Sequence, residues 1–387
     1  MRVRSVRAHY LRTEIEEPFR WSLYTTPIRQ ALLVEVTTDD GLVGWGESGS
    51  GTLPASAAAF VEDALGPLVE GEDPFDLAGI RQKVHAAFDR AGWTGGGFAA
   101  QSLSGVEVAL WDLMGQAVGR PVSDLLGGRV RERVAAYATG LYYDATSARD
   151  VSARAEEAMG YVEDGFGAIK MKVGGLAPAE DIAAVGQIRE VVGGDISLMV
   201  DANCAYDAAT AIAVGRELEE LRVAWFEEPV GRHDLEGYRE VRRSLTVPIT
   251  GGEHLGSIEA FRDLLAGRAL DVVQPDVANC GGLAAAREVA VLARAFHVRV
   301  FPHVWGTPVA VAAALQFIST LPSTPFVEYP NVMVQEPVFE FDSTPHPIRE
   351  AMMTSALQPQ DGWLTVPDKP GLGITVDRDV LERFAAR

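Results

Sequence analysis

Cysteine is almost missing from this chain of 387 residues: there are two, Cys204 and Cys280. Two cannot make the disulfide framework of a small secreted scaffold, and a reduced, cytoplasmic setting is expected. Long apolar runs are missing too. No window reaches the roughly 20 residues that cross a bilayer. The opening Met1-Arg-Val-Arg-Ser-Val-Arg7 carries charge but no apolar segment, so no secretory leader is expected. Basic residues are scarce, with 34 Lys and Arg against 54 Asp and Glu, a formal charge of −20. That balance argues against nucleic acid or an anionic membrane surface as a partner. Low-complexity stretches and long linkers are absent. What remains is a long chain with a 47% hydrophobic fraction, enough for a barrel-sized core and something besides.

The most informative segment is Ala168-Ile-Lys-Met-Lys-Val173. Two lysines at i and i+2 of a strand point the same way. If the strand is buried, two ammonium groups share one enclosed place, and at least one pKa is expected to fall. A lysine neutral near pH 7 is a general base. On its own, the pair reads more readily as an edge strand with solvated lysines. The downstream sequence changes that. Apolar runs recur, each ending in one ionisable residue: Asp201, Glu227, Glu253, Asp276, His303 and Glu328. From Lys172 onward the steps are 23 to 29 residues. That length makes one strand, one helix and two short loops. Pro178–Val192, Ala208–Leu221 and Gly282–Phe296 carry apolar stripes of helical period. An earlier strand, Val134–Tyr137, opens the series. Eight strands with seven helices between them predict a (β/α)7β TIM-like barrel over 129–355, whose active site lies at the C-terminal strand ends.

Residues 1–128 follow another pattern. Arg2–Leu11, Gln30–Val36 and Leu42–Glu47 alternate like strands around the turn Asp39-Asp40-Gly41, and Ser102–Val118 reads as a helix. This predicts an α+β capping domain ahead of the barrel. Gly362–Val376 is strand-like again, and 356–387 is expected to return to the first domain. Gly44-Trp-Gly-Glu-Ser-Gly49 matches a dinucleotide fingerprint by spacing but follows a hairpin. It reads as a loop without nucleotide binding.

Three strand-end carboxylates, Asp201, Glu227 and Glu253, cannot all stay ionised at one rim without a cation. Oxygen donors alone favour a hard divalent ion, Mg²⁺ first and Mn²⁺ second. Helix-capping carboxylates are the bland alternative, poor for three in register. Asp276 and His303 come from adjacent strand ends, where the acid would fix the histidine tautomer. With the barrel closed in order, Lys172 and His303 face each other across the metal. A carboxylate bound there exposes both faces of its α-carbon to a base, and the metal stabilises the enediolate. Glu328 is a candidate hydrogen-bond donor to the oxyanion, or only a salt-bridge partner.

Lys170-Met-Lys172, Asp201, Glu227, Glu253, Asp276, His303 and Glu328 together resemble the enolase superfamily, mandelate racemase subgroup, over nearly the whole chain. The resemblance implies that Lys172 is the base and that Lys170 contacts the substrate carboxylate. It implies Asp201, Glu227 and Glu253 as Mg²⁺ ligands, Asp276–His303 as a catalytic dyad and Glu328 as the last-strand acid. Asn203 and Glu228 match positions near the metal. Ala136–Gly140, Cys280-Gly-Gly282, Pro302–Thr307 with Trp305, and Glu340–Thr344 are similar to the subset containing sugar-lactone cycloisomerases and acid-sugar dehydratases. Histidine after Glu253 departs from the cycloisomerase pattern and matches several dehydratases. His254 is accordingly a candidate substrate contact, extra acid or supporting residue.

The family further implies two lid loops from the capping domain, here Phe19–Thr26, with Arg20, Trp21 and Tyr24, and Ser48–Leu53. Arg20 reads either as the partner of a distal substrate carboxylate or as a surface charge. A homo-oligomer, dimer or octamer, is implied as well. The expected activity is Mg²⁺-dependent proton abstraction alpha to a carboxylate, then β-elimination on an acid sugar or its lactone. A racemase or epimerase of a 2-hydroxy acid is the alternative. A hydrolytic barrel would carry paired histidines on its opening strand, and Val134–Thr139 has none. A non-catalytic descendant would have lost a ligand or base.

Overall fold

The computed structural model describes residues 1–49, 53–93, 96–144, 151–323 and 336–386. The chain opens with a long antiparallel hairpin, β1 (Val3–Trp21) and β2 (Tyr24–Thr38), then β3 (Val43–Ser48). The helix Phe98–Val118 packs across β2 and β3. Gly44 and Gly46, read as part of a loop, lie on β3. A Cβ there would stand 2.3 Å from the Ala109 carbonyl oxygen and 1.9 Å from that of Gly105. The glycines let strand and helix backbones approach, and the phosphate-loop spacing is incidental.

The barrel begins at β4 (Arg133–Thr139). The chain then makes a two-residue strand, β5 (Tyr143–Asp144), which pairs with Phe19 and Arg20 of β1. The barrel mouth thus supplies the fourth strand of the capping sheet, in the order β3-β2-β1-β5. The barrel continues through β6 (Ala168–Lys172), β7 (Ser197–Asp201), β8 (Phe226–Glu227), β9 (Ile249–Gly251), β10 (Val272–Val273) and β11 (Arg299–Val300) to β12 (Phe339–Asp342). All pair in parallel, in the order β11-β10-β9-β8-β7-β6-β4-β12. Helices separate them, among these the expected Pro178–Val192, Ala208–Glu220 and Leu283–Ala295. Asp207, Asp234, Ser257 and Thr307 cap the helices that follow β7, β8, β9 and β11. Each cap contributes about 1 kcal/mol.

Alternation on β6 sorts its side chains. Ile169 and Met171 face the helices and join Leu198, Val200 and Phe226 in the outer core. Ala168 faces inward with Met199, Trp225, Val272 and Phe301, filling the barrel beneath the lysines.

Two expectations need correction. The eighth strand is Phe339–Asp342, paired residue for residue with Ala136–Thr139. The segment expected there, 325–328 with Glu328, lies outside the described residues. Of the strand-like Gly362–Val376, only β13 (Trp363–Thr365) is a strand, and it pairs antiparallel with β4 of the barrel. The return to the first domain comes later. Leu372 donates its N–H to Asp112, and Ala386 donates its own to the Tyr10 carbonyl.

Candidate active site

Lys172, Asp201, Glu227 and Thr250 stand side by side in the ladder of β6, β7, β8 and β9. Inward-facing positions at one level converge on one rim, so the chain's even spacing becomes a row of charges. Lys172 is 5% exposed, Lys170 1%, and Asp201 and Glu227 are fully buried. Glu253 follows β9 after Gly252, whose φ of 110° turns the chain inward. The carboxylate oxygens of Asp201, Glu227 and Glu253 come within 4.8 Å of one another. The donor set is all oxygen and reaches −3 when fully ionised, which fits a hard divalent cation. Glu227 is pushed up to about 8 by burial, with Lys170 opposing and Asp201, Glu340 and Glu253 adding to the rise.

The lysines are bound into this charge. The Lys172 Nζ donates to Asp201 Oδ2. The Lys170 Nζ lies 2.6 Å from Glu227 Oε1 and 2.7 Å from Glu340 Oε1. The expected fall in a lysine pKa is not found, and both are raised. Burial is the largest influence on each and lowers it, but the surrounding carboxylates together outweigh burial and the lysine–lysine repulsion. Sequence spacing paired the lysines with each other; the fold pairs each more closely with acids.

Across the carboxylates stands His303. Its Nδ1 is 2.6 Å from Asp276 Oδ2 and its Nε2 is 3.4 Å from Glu253 Oε2. Asp276 Oδ1 accepts the Ala278 N–H, which holds the acid in place. Burial lowers the imidazole, while Glu253, Glu340 and Asp276 raise it, for a net rise to about 10. The order around the rim is therefore Lys172, Asp201, Glu227, Glu253, His303. The bases sit at opposite ends of the carboxylate arc.

Asn203 and His254 lie against the ligand set. Asn203 Nδ2 donates to Asp201 Oδ2 over 3.1 Å and its backbone N–H to Oδ1 over 2.8 Å. His254 Nε2 is 2.9 Å from Glu253 Oε1. Glu228 is buried beyond them and accepts from Cys204 Sγ.

The hairpin tip of β1 and β2 is docked on the rim. Ser22 has φ 41°, is fully buried, and donates to the Val173 carbonyl over 2.8 Å. Its Oγ also lies 3.2 Å from Asn203 Oδ1. Arg20 Nη1 donates to the carbonyls of Ser22 and Gly175, 3.0 Å each, with the guanidinium over the Tyr143 ring. Arg20 clamps the hairpin to the barrel. Trp21 donates to Thr26, and Tyr24 packs on Trp21 with over half its surface exposed. Trp305 meets Tyr142 edge-on, beside Phe19. Of the second lid loop, Ser48, Gly49 and Leu53 are described; the Gly49 N–H donates to the Ala278 carbonyl, beside Asp276.

Several residues at the site were given no role by the sequence reading, which noted Glu340 only within the Glu340–Thr344 motif. Glu340 is buried against Lys170 and accepts from Thr139 Oγ1 at 2.7 Å. Its alternating context, Phe339-Glu-Phe-Asp342, was the available signal. Trp225 Nε1 and Gln274 Nε2 donate to Glu227 Oε2 over 3.1 and 2.8 Å. Both face inward one strand step from a ladder neighbour, which alternation alone does not mark as chemical. A groove of about 630 Å³ lined by Arg81, Trp111, Arg287 and Glu288 holds none of the strand-end residues.

The chain matches two family models: mandelate racemase / muconate lactonizing enzyme, N-terminal domain, over residues 4–127, and enolase C-terminal domain-like over 153–380. It is 38% identical over 384 residues to D-galactarolactone cycloisomerase of Agrobacterium fabrum, covering 99% of each chain. It is 32% identical to arabinonate dehydratase of Saccharolobus solfataricus, covering 92% of this chain and 91% of that one. Among solved structures, the 3,6-anhydro-D-galactonate cycloisomerase of Zobellia galactanivorans superposes with a TM-score of 0.88 at 31% identity over the full length of both chains. With a capping sheet, a parallel barrel and a ring of acids at its mouth, the chain is an enzyme belonging to the mandelate racemase / muconate lactonizing enzyme family of the enolase superfamily.

Proposed function

We propose that this enzyme abstracts the proton alpha to the carboxylate of an acid sugar or its lactone and then eliminates the β-oxygen. The carrying observation is the arc in which Lys172 and His303 flank three buried carboxylates. Asp201, Glu227 and Glu253 would hold Mg²⁺, which when bound neutralises charge developing on the substrate carboxylate.

The remaining roles belong to the chain. Lys172 removes the α-proton in its neutral form, which is favoured once the Asp201 charge that holds its proton is taken up by a bound cation. Lys170, fixed between Glu227 and Glu340, presents positive charge toward the same carboxylate. The C–H electron pair forms the double bond to the β-carbon, and the β-oxygen leaves with its bonding pair. His303, oriented by Asp276, gives that oxygen its proton. In a lactone the leaving oxygen is the ring oxygen, so the product is ring-opened. In an open acid it leaves as water, and the enol becomes a 2-keto acid. The docked hairpin keeps water from the intermediate. Relatives named cycloisomerase and dehydratase support both outcomes.

The test is proton NMR in D₂O with Mg²⁺ and a panel of aldonic and aldaric acids and their lactones, repeated with EDTA. The expected result is loss of an α-proton together with a 3-deoxy-2-keto or ring-opened product, abolished by EDTA. Deuterium uptake into an unchanged skeleton would instead make the enzyme a racemase or epimerase.

A further inference from the structure

Arg20 is held by backbone carbonyls at the hairpin. Arg29, farther along β2 and opposite Thr13, is placed differently. It is 2% exposed. Its Nε donates to the Pro345 carbonyl over 2.9 Å, and its Nη2 to Asp342 Oδ2 over 3.2 Å and to Thr344. Its Nη1 is buried and has no acceptor among the described residues. The guanidinium carbon lies 4.9 Å from the ring centroids of both Phe19 and Trp305. Both rings therefore lie within cation–π range of the guanidinium.

Tyr142 repeats the pattern. It is 2% exposed, and its hydroxyl has no partner among the described residues. Its ring is 4.8 Å from Phe19, 6.3 Å from Trp305 and 5.6 Å from Lys172 Nζ. One aromatic wall thus runs from the proposed base to the unused guanidinium edge. Burying such donors without acceptors is unfavourable, and an unsatisfied buried group calls for a reason. The charge around them is also unbalanced. Arg29 and Arg349 both bond to Asp342 Oδ2, so two buried cations share one buried carboxylate. The further acid near Arg29 is Glu350, which is exposed, and the further acid near Tyr142 is Glu340, which is already paired with Lys170. The surplus of positive charge and of N–H and O–H donors suits an anionic oxygen group.

We propose that Arg29 Nη1 and the Tyr142 hydroxyl bind the distal carboxylate of a dicarboxylic acid sugar, which makes open aldarates the preferred substrates over aldonates. This rests on the acid-sugar reading above and narrows it. A substrate held at its reacting end beside Lys172 extends along the aromatic wall, and its far end meets the donors. An aldonate would bring a hydroxymethyl group there and leave the surplus charge unanswered.

Matched pairs test this, because galactarate and galactonate differ only at C6, as do the gluco and manno pairs. Isothermal titration of the Mg²⁺-loaded protein should give one diacid about tenfold or more tighter binding than its monoacid, the usual effect of a charge-assisted hydrogen bond. Tyr142→Phe and Arg29→Lys should each shrink that ratio about threefold or more. Tyr142→Phe removes a hydroxyl that no other described residue uses, so it isolates recognition from folding. Equal affinity within every pair, or a preference that neither variant changes, overturns the subsite. Failure of every acid to bind overturns both readings. Diacid preference without α-proton exchange in D₂O keeps the subsite and removes the proposed reaction. Exchange that is as fast with aldonates as with aldarates keeps the reaction and removes the subsite.

Discussion

At the scale of single residues, Lys172 carries the sharpest prediction. Lys172→Ala deletes the proposed base and leaves Asp201, Glu227 and Glu253 in place. Turnover should fall by about 10²- to 10⁴-fold, the usual contribution of a positioned acid or base. Circular dichroism should be unchanged, and Mg²⁺ affinity unchanged or higher, because a cation beside Asp201 is gone. Activity close to that of the parent would remove Lys172 from the base role. Lys172 was conspicuous in the sequence because period-2 alternation and near-constant strand spacing are one-dimensional signals. Asp201, Glu227 and Glu253 share those signals. Glu340 does not. Two acid-bearing, strand-like segments follow His303, and spacing favours the nearer one, with Glu328, over the strand that pairs with β4. Ser22, Arg29 and Tyr142 were silent for another reason. Their place at the site depends on how far a hairpin reaches across the fold, and no local pattern encodes that. The direction of the lysine pKa shifts was misjudged on the same ground, since their acidic neighbours come from other strands.

At the scale of elements, the helices between strands were legible from their stripes, while the strands were overestimated. Runs of about five residues form ladders of only two or three at β8, β9 and β10. The functional residues lie where the chain leaves the ladder. Positive φ at Asn203, Cys204, Glu228 and Gly252 turns it there and aims side chains across the mouth. Between domains the joint at β3 is the one to probe. Glu47 is buried and accepts from the Thr307 N–H and Oγ1 and from the Ala310 N–H, at the start of the helix Pro308–Ile318. That helix follows His303 and Trp305, so Glu47 fixes the loop bearing both. Glu47→Ala strands two buried N–H groups and should cost about 1–3 kcal/mol. Urea unfolding followed by circular dichroism checks this, as a lower midpoint at unchanged slope. Glu47→Gln keeps acceptor and volume and should lose less. Equal stability for Glu47→Ala and the parent would show that the joint holds without this carboxyl.

At the scale of the whole molecule, the acidic excess and the buried carboxyls together set a pH dependence. Burial is the main cause that holds Glu47 and Glu107 up to about 7 and Asp112 up to about 6, although backbone N–H donors oppose it. In the unfolded chain such groups ionise near pH 4. Between roughly pH 4 and 7 the folded protein therefore keeps protons that the unfolded chain has lost. The contribution of these three groups must fall as pH rises through that interval and level off above it. Asp342 acts the other way. Burial raises it, but Arg29 and Arg349 hold it down to about 2. Its contribution is present above about pH 4, the unfolded value, and is lost as pH falls toward 2. The formal charge of −20 adds self-repulsion that also eases on acidification. The melting temperature in EDTA should accordingly rise from pH 8 to about 5 and drop below about 4. Salt separates the two causes, because surface repulsion is screened at about 0.5 M and buried groups are screened far less. The rise toward pH 5 should persist in high salt and should be shallower in Glu47→Gln. A melting temperature that is flat from pH 8 to 5 in high salt would mean that the buried carboxyls titrate alike in folded and unfolded chains.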